Sequence, residues 1–143
     1  MIDYKEYPPT WKTEIVPRIK ARAGEILDEQ GKIVTEAKCE WCHVTNHERG
    51  ARDLSGKWHI ENVIENMNSD YGFKLFGDFP RIITIVLTVA HLDHDKENHD
   101  VKDDRLAALC NRCHLNYDRP HHLEVQKANR ERNKGPMLFE ALP

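Results

Sequence analysis

Two Cys-x-x-Cys pairs are the residues of this sequence whose spacing most clearly suggests chemistry. They are Cys39 and Cys42 in CEWC, and Cys110 and Cys113 in CNRC. Each short spacing lets one tight turn direct two sulfurs at the same ion, and two pairs supply the four thiolates of a tetrahedral zinc. Disulfides and a thiol redox site are the alternatives, although a redox pair would leave the other pair unexplained. The pattern predicts a structural zinc that joins the first and last thirds of the domain.

Histidines and carboxylates form a second group of potential ligands. Six of the nine histidines fall within 32 residues, and they are His91, His94, His99, His114, His121 and His122. Four thiolates would fill the zinc, so His114 is not required there. His114 and Asp118 are four positions apart, and on a helix they would share one face. A strand end, a loop and this helix could together hold one divalent cation and one attacking water, which would be a complete hydrolytic site.

A run of alternating apolar residues, RIITIVLTVAHLD (81–93), predicts the strand that would carry His91. Every second residue lies on one face of such a strand, and that face comprises Ile83, Ile85, Leu87, Val89, His91 and Asp93. A polar loop follows at 94–104. The next segment, RLAALCNRCHLNYD (105–118), predicts a turn, the second cysteine pair and the start of a helix, and 121–133 predicts a helical tail.

The N-terminal half supplies elements with weaker patterns. Residues 8–29 have apolar positions at three-to-four spacing, which predicts an amphipathic helix that Pro17 could interrupt. Residues 29–42 predict a short hairpin that leads into the first cysteine pair. Residues 46–60 predict a loop and a short strand, and 61–77 predict a helix that ends at one of its glycines.

An ordinary composition limits the class of protein. The chain has 143 residues, of which 39% are hydrophobic and 31% charged, and this is typical of one globular domain. No apolar run reaches the roughly eighteen residues of a membrane helix, and the N-terminus lacks the apolar core of a signal peptide. We therefore expect a cytoplasmic protein with no membrane partner.

The charges are unevenly distributed, although the net charge of −3 does not itself indicate nucleic-acid binding. Residues 93–104 contain six acids and two lysines, whereas residues 105–134 contain seven bases and three acids. An acidic cluster beside a basic segment could bind a cation next to a phosphate backbone. Two solvated faces are the simpler alternative.

The stretch LTVAHLDHDKENHDVKDDRLAALCNRCHLNYD (87–118), together with the upstream CEWC, resembles the HNH endonucleases with a ββα-metal core. In that family an acid or a histidine precedes a histidine at a strand end, and after a loop come Asn-Leu and then Leu-Cys-x-x-Cys-His. This chain has Ala90-His91, Arg105-Leu106 and Leu109-Cys110-Asn111-Arg112-Cys113-His114. The opening YPPTWK and the segment CHLNYDRPHH are similar to a group of small bacterial and phage HNH proteins.

The resemblance implies roles for individual residues. His91 falls on the general base, and His114 falls on the final histidine, a metal ligand that belongs to the catalytic machinery. Asp118 falls on a position one helical turn later that binds metal in some members. The four cysteines fall on the structural zinc knuckles that are frequent in the family.

The chain departs from the family pattern at two positions. Ala90 stands where a ligating acid or histidine is usual, and Arg105 stands where the central asparagine is usual. Asp93, which shares the strand parity of His91, is the predicted replacement for the missing ligand. His94 is an alternative base or ligand.

Together the sequence patterns and the HNH resemblance imply an α+β fold in a single domain, 1–143. An N-terminal helix and hairpin (1–38) would precede a ββα-metal core stapled by the four-cysteine zinc site (39–118), and a basic helical tail (119–143) would follow. The resemblance implies hydrolysis of DNA phosphodiester bonds, with Zn²⁺ as a structural ion. A catalytic Mg²⁺ or another divalent cation would be held by Asp93, His114 and Asp118.

DNA is the expected partner, and basic side chains would contact its backbone: Arg105, Arg119, Lys127, Arg130 and Arg132. The alternative is a non-catalytic zinc-containing module, derived from an HNH fold, that binds nucleic acid or protein. Ala90 and Arg105 are the residues that favour this alternative.

Overall fold

The structure is a computed structural model that describes residues 4–95, 97–100 and 102–134. The elements of those ranges, in chain order, are a 3₁₀ turn (Tyr4–Glu6), a π-helical turn (Trp11–Ile15) that continues into α1 (Val16–Arg22), β1 (Ile26–Leu27), β2 (Ile33–Thr35), β3 (Arg49–Arg52), β4 (Trp58–Ile60), α2 (Glu61–Glu65), α3 (Ser69–Phe76), β5 (Ile83–Thr84), β6 (Thr88–His91), a second 3₁₀ turn (Asp103–Arg105), β7 (Leu106–Leu109) and α4 (Asn111–Lys134). This is a mixed architecture of α-helices and small antiparallel sheets.

The N-terminal segment is helical, as its apolar spacing predicts, but the helix ends at Arg22 and not at residue 29. Pro17 lies at the junction where the π-helical turn continues into α1, and the helix is not interrupted there. The buried face of the helix packs on β7, with Trp11, Ile15 and Ile19 in one cluster with Leu106 and Ala108. The helix therefore covers one face of the strand pair formed by β6 and β7.

β7 is buried along its whole length, and the sequence prediction of a turn at its position was wrong. It pairs antiparallel with β6, from Thr88 opposite Leu109 to His91 opposite Leu106. The other face of β7, with Ala107 and Leu109, joins a second core cluster that includes Cys39 and Cys110. Because both faces are covered, the segment LAAL shows no alternation of polar and apolar residues.

The predicted strand over residues 81–93 is divided between two sheets. β5 pairs with β3, whereas β6 pairs with β7. Between them the backbone N–H of Leu87 donates to Oδ1 of Asn46, which is a buried side chain. The N–H of Leu87 therefore has a hydrogen-bond partner although no strand lies beside it. The chain can pass from one sheet to the other at this point without a break in its alternation of apolar residues. β6 ends at His91, and the strand parity does not extend to Asp93.

The remaining elements differ from their predictions mainly at their ends. The predicted helix over residues 61–77 consists of α2 and α3, and it ends at Gly77, whose φ of 71° is the left-handed conformation that glycine favours. The predicted hairpin is formed by β1 and β2, which pair antiparallel. Residues 119–134 of the predicted basic tail belong to α4, and residues 135–143 lie outside the described residues. Within the described ranges, no helix combines the length and the apolar character needed to span a bilayer.

Candidate metal centres

The four cysteines of the two pairs meet at one point. Their sulfurs all lie within 4.8 Å of one another, and the Sγ atoms of Cys42 and Cys110 are 3.6 Å apart. In a tetrahedral zinc–thiolate site, with Zn–S bonds of about 2.3 Å, the sulfurs are about 3.8 Å apart. All four thiols are free of disulfide bonds. The cluster (Cys39, Cys42, Cys110 and Cys113) could therefore hold a metal ion such as zinc.

Local backbone structure positions each pair. After the first pair, His43 adopts a left-handed conformation with φ of 65°, and the N–H of Cys39 donates to the carbonyl of Val44. The second pair follows β7 directly, and the N–H of Cys110 donates to Sγ of Cys39 at 3.4 Å. A backbone N–H of the second turn thus donates to a sulfur of the first, in addition to the contact between Sγ of Cys42 and Sγ of Cys110.

The thiols of the cluster differ in acidity. Burial raises the pKa of Cys42, but hydrogen bonds from the Val44 backbone and from neighbouring thiols outweigh this, and its pKa falls to about 7. Burial raises the pKa of Cys110 and Cys113 above the ordinary range of a thiol. A metal cation would bind these groups as thiolates, so its binding would release protons from the cluster.

A cavity of about 380 Å³ lies beside the cluster of histidines near β6 and α4. Its lining includes Tyr7, Asp118 and five imidazoles: His91, His94, His114, His121 and His122. A larger cavity of about 450 Å³, beside α2 and α3, is mainly apolar, and its described lining contains neither histidine nor cysteine. The histidines and the aspartate whose spacing predicts a second cation site thus line the smaller cavity, which we call the histidine cavity.

The carboxylate of Asp118 lies between two imidazoles of the histidine cavity. Its Oδ2 is 3.0 Å from Nε2 of His114, and its Oδ1 is 3.2 Å from Nδ1 of His94. Adjacent ligands of an octahedral ion with bonds of about 2.1 Å are about 3.0 Å apart. His114 and Asp118 thus share a helix face, as their spacing predicts, at a separation that suits two ligands of one cation.

The ring of His114 is oriented from its other side. Its Nδ1 is 3.0 Å from Oγ1 of Thr88 on β6, which directs Nε2 towards Asp118. A metal-binding histidine commonly has such a partner on its second nitrogen. His94 and His114 nevertheless contact Asp118 as two separate ion pairs and do not form a compact ligand cluster with it. In the described ranges only the four cysteines bring three or more ligand atoms within 4.8 Å of one another.

His91 enters the histidine cavity from the end of β6. Its ring stacks on Trp11, with 4.9 Å between centroids and 10° between planes, and Tyr7 is the next ring, at 5.6 Å. Nε2 of His91 is buried and has no hydrogen-bond partner among the described residues. Burial is the main cause that lowers the pKa of His91. The neutral imidazole, which can accept a proton, is therefore favoured.

The structure places Asp93 outside the histidine cavity, which differs from its predicted role as a metal ligand. Its Oδ2 is 2.6 Å from Nε of Arg105, and this hydrogen bond holds the pKa of Asp93 below its usual range. Asp93 lies beyond the end of β6, so strand parity does not direct it towards His91. His94, in a left-handed conformation with φ of 58°, is the residue of this loop that reaches Asp118.

Arg105, a predicted DNA contact, makes several hydrogen bonds within its own loop. Besides Asp93, its guanidinium donates to the backbone carbonyls of Asp95 and Asp100. These bonds tie the loop that connects β6 to β7 back onto itself. Arg105 therefore holds the loop, at the sequence position where the resemblance places the central asparagine.

The other basic residues proposed for DNA binding lie on α4, with Arg119 next to Asp118 and the other three after the residues that line the histidine cavity. Arg119, Lys127, Arg130 and Arg132 are all exposed. Their side chains are therefore accessible on the same helix that carries His114 and Asp118.

Sequence reasoning missed several residues of the two centres. Oγ1 of Thr88 contacts His114, and Nη2 of Arg52 lies 3.8 Å from Sγ of Cys42 and 3.8 Å from Sγ of Cys110. These contacts join distant segments, and nothing in the local sequence indicates them. Tyr7 belongs to the YPPTWK motif, so the resemblance gave a signal that this segment matters.

No family model, curated protein or solved structure matches this chain. The functional interpretation therefore rests on the two centres themselves.

Proposed function

We propose that this protein is a metal-dependent endonuclease of the HNH type that hydrolyses DNA, with a structural zinc in the four-cysteine cluster. The observation that carries the proposal is the meeting of His91, His114 and Asp118 in one cavity. They come from a strand end and from one face of the following helix, across an antiparallel strand pair. This is the order of elements, β-strand, β-strand and helix, that the HNH resemblance implies.

His91 is the proposed general base. Its neutral imidazole would take a proton from the attacking water, and the stack on Trp11 limits the orientations that the ring can adopt. The lowered pKa keeps the base unprotonated at neutral pH. General-base catalysis by a positioned imidazole typically contributes about 100- to 10,000-fold in rate.

His114 and Asp118 are the proposed ligands of a catalytic divalent cation, and His94 replaces Asp93 as the third. When bound, such a cation would stabilise negative charge on the scissile phosphate and on the leaving oxygen. Asp118 has one carboxylate oxygen facing each imidazole, and Thr88 orients the ring of His114. Exposed bases of α4 would hold the DNA backbone by charge, so binding should weaken as salt increases.

The test is cleavage of plasmid DNA by zinc-loaded protein with Mg²⁺, Mn²⁺ or Ni²⁺. We expect wild-type protein to cut plasmid DNA. We expect His91→Ala to cut it at least about 100-fold more slowly. His47→Asn is the matched control, because His47 is an exposed histidine paired with Glu36. Asparagine tolerates its positive φ, so this variant should cut like wild type. Intact plasmid under conditions of demonstrated binding, or normal cutting by His91→Ala, would refute the proposal.

A non-catalytic zinc module is the second candidate function. It is favoured by Ala90, which offers no ligand, and by the ion pairs that the Asp118 carboxylate makes with His94 and His114. This candidate predicts one tightly bound metal ion per chain and no binding of added Mn²⁺. The nuclease predicts a zinc and a second, weaker cation. Elemental analysis followed by a Mn²⁺ titration separates the two.

A further inference from the structure

We propose that Arg52 is an outer-sphere partner of the four-cysteine cluster and that it raises the affinity of the cluster for zinc. Nη2 of Arg52 lies 3.8 Å from Sγ of Cys42 and 3.8 Å from Sγ of Cys110. One guanidinium nitrogen thus faces a sulfur from each of the two pairs. The inference rests on the zinc site of the proposed function but not on nuclease activity.

Two further contacts fix the guanidinium of Arg52 in this position. Arg52 lies at the end of β3, opposite Trp58 of β4, and its guanidinium carbon is 5.6 Å from the centre of the Trp58 ring. Nη1 donates to the carbonyl of Gly56 at 3.1 Å. The orientation of Arg52 is therefore set by the β3–β4 hairpin, a third segment of the chain besides the two that carry the cysteines.

The charge of a zinc–thiolate site explains what Arg52 would contribute. Zinc with four thiolates carries a net charge of about −2, since each thiolate brings one negative charge. A guanidinium stays protonated in proteins, and its N–H groups can donate to two neighbouring acceptors at once. Donation to Cys42 and Cys110 would spread part of the negative charge and stabilise the thiolates. Partners of this kind typically change metal affinity by about 10- to 100-fold when they are removed.

Arg112 offers a matched control within the same structure. Its Nη1 donates to the same carbonyl of Gly56, at 2.8 Å, and it lies between the cysteines of the second pair. Within the described ranges, however, it makes no hydrogen bond to a sulfur. A loss that follows only from Arg52 would therefore come from its contact with the sulfurs and not from the hairpin turn.

The experiment measures zinc affinity by competition with a chromogenic chelator, on the full chain at fixed pH. We expect Arg52→Met, which keeps the length and the apolar stem, to lower the affinity about 10-fold or more and to transfer zinc faster. Arg112→Gln should remain within about twofold of wild type, since it keeps both sulfur contacts of Arg52. With Co²⁺ in place of zinc, the sulfur-to-cobalt charge-transfer band should shift to lower energy in Arg52→Met, because its thiolates lose a hydrogen-bond donor.

Each outcome decides the proposal. Unchanged affinity in Arg52→Met, or an equal loss in Arg112→Gln, would overturn it. Should Arg52→Met not fold, Arg52→Lys carries the test, because it keeps the charge but not the planar fork. We expect a smaller loss of affinity and a shifted cobalt band in that variant, and wild-type values for both would overturn the proposal. Wild-type protein that binds no zinc would instead refute the zinc site itself.

Discussion

Replacing Thr88 by valine removes a hydroxyl beside His114 and changes little else. Oγ1 of Thr88 is 3.0 Å from Nδ1 of His114, and valine has nearly the same shape and suits a strand equally well. Without the hydroxyl, the imidazole can rotate, and its Nε2 is no longer directed at Asp118. We therefore expect Thr88→Val to fold but to hold a second cation less tightly.

The single hydrogen-bond contact between Thr88 and His114 limits the size of both effects. The loss of folding stability should be about 0.5–1.5 kcal/mol, which is the usual net contribution of one hydrogen bond. The loss of cation affinity should be about 10-fold or more, because residues that orient a metal-binding imidazole typically contribute that much. Urea denaturation without added cation measures the first effect. Calorimetric titration of zinc-loaded protein with Mn²⁺ measures the second.

Thr84→Val is the matched control for this experiment. Thr84 lies on β5, is exposed and does not line the histidine cavity. The same exchange there should leave the affinity for Mn²⁺ unchanged. If Thr88→Val binds Mn²⁺ as tightly as wild type, or if Thr84→Val loses as much, then Thr88 does not hold His114 for a cation and the reasoning is refuted.

Three further predictions test the core, the base and the loop. Leu109 is fully buried, so Leu109→Ala should lower the free energy of unfolding by about 2–5 kcal/mol in urea denaturation; a loss below about 1 kcal/mol would contradict the burial of β7. Burial lowers the pKa of His91 below its ordinary 6.5, so the unfolded chain takes up this proton first and stability should fall as pH drops from 6.5 through the lowered pKa. Thermal melts of His91→Gln should show a smaller fall over this range, and an equal fall would exclude His91 as its source. Arg105→Ala should speed amide hydrogen exchange in the loop after β6, and it should leave the salt dependence of DNA binding unchanged. In anisotropy titrations, Arg130→Ala should reduce the slope of log affinity against log salt by about one. A reduced slope in Arg105→Ala would instead show that Arg105 contacts the DNA backbone.

The parts of the two centres that depend on short spacing could be predicted from the sequence. Two Cys-x-x-Cys pairs predicted a shared metal site, because a tight turn fixes the two sulfurs of each pair. The separation of four between His114 and Asp118 predicted a common face, because helical geometry fixes that relation. Such local rules apply whatever the rest of the chain does.

The parts that depend on contacts between distant segments could not be predicted. The alternation over residues 81–93 gave no sign that Asn46 would take the N–H of Leu87 and let the chain change sheets. Strand parity assigned Asp93 to the cavity, but the strand ends before it and Arg105 binds its carboxylate. Arg52 gave no signal at all, since its role depends on a hairpin that meets both cysteine pairs.

A crystal structure of the zinc-loaded protein soaked in Mn²⁺ tests the central claim most directly. The claim is that the chain holds two different metals, one on each side of the bond between Cys113 and His114. We predict anomalous scattering from zinc among the four sulfurs and from manganese between His114, Asp118 and His94. Manganese absent from the histidine cavity at saturating concentration, with zinc alone bound to the chain, would contradict the account.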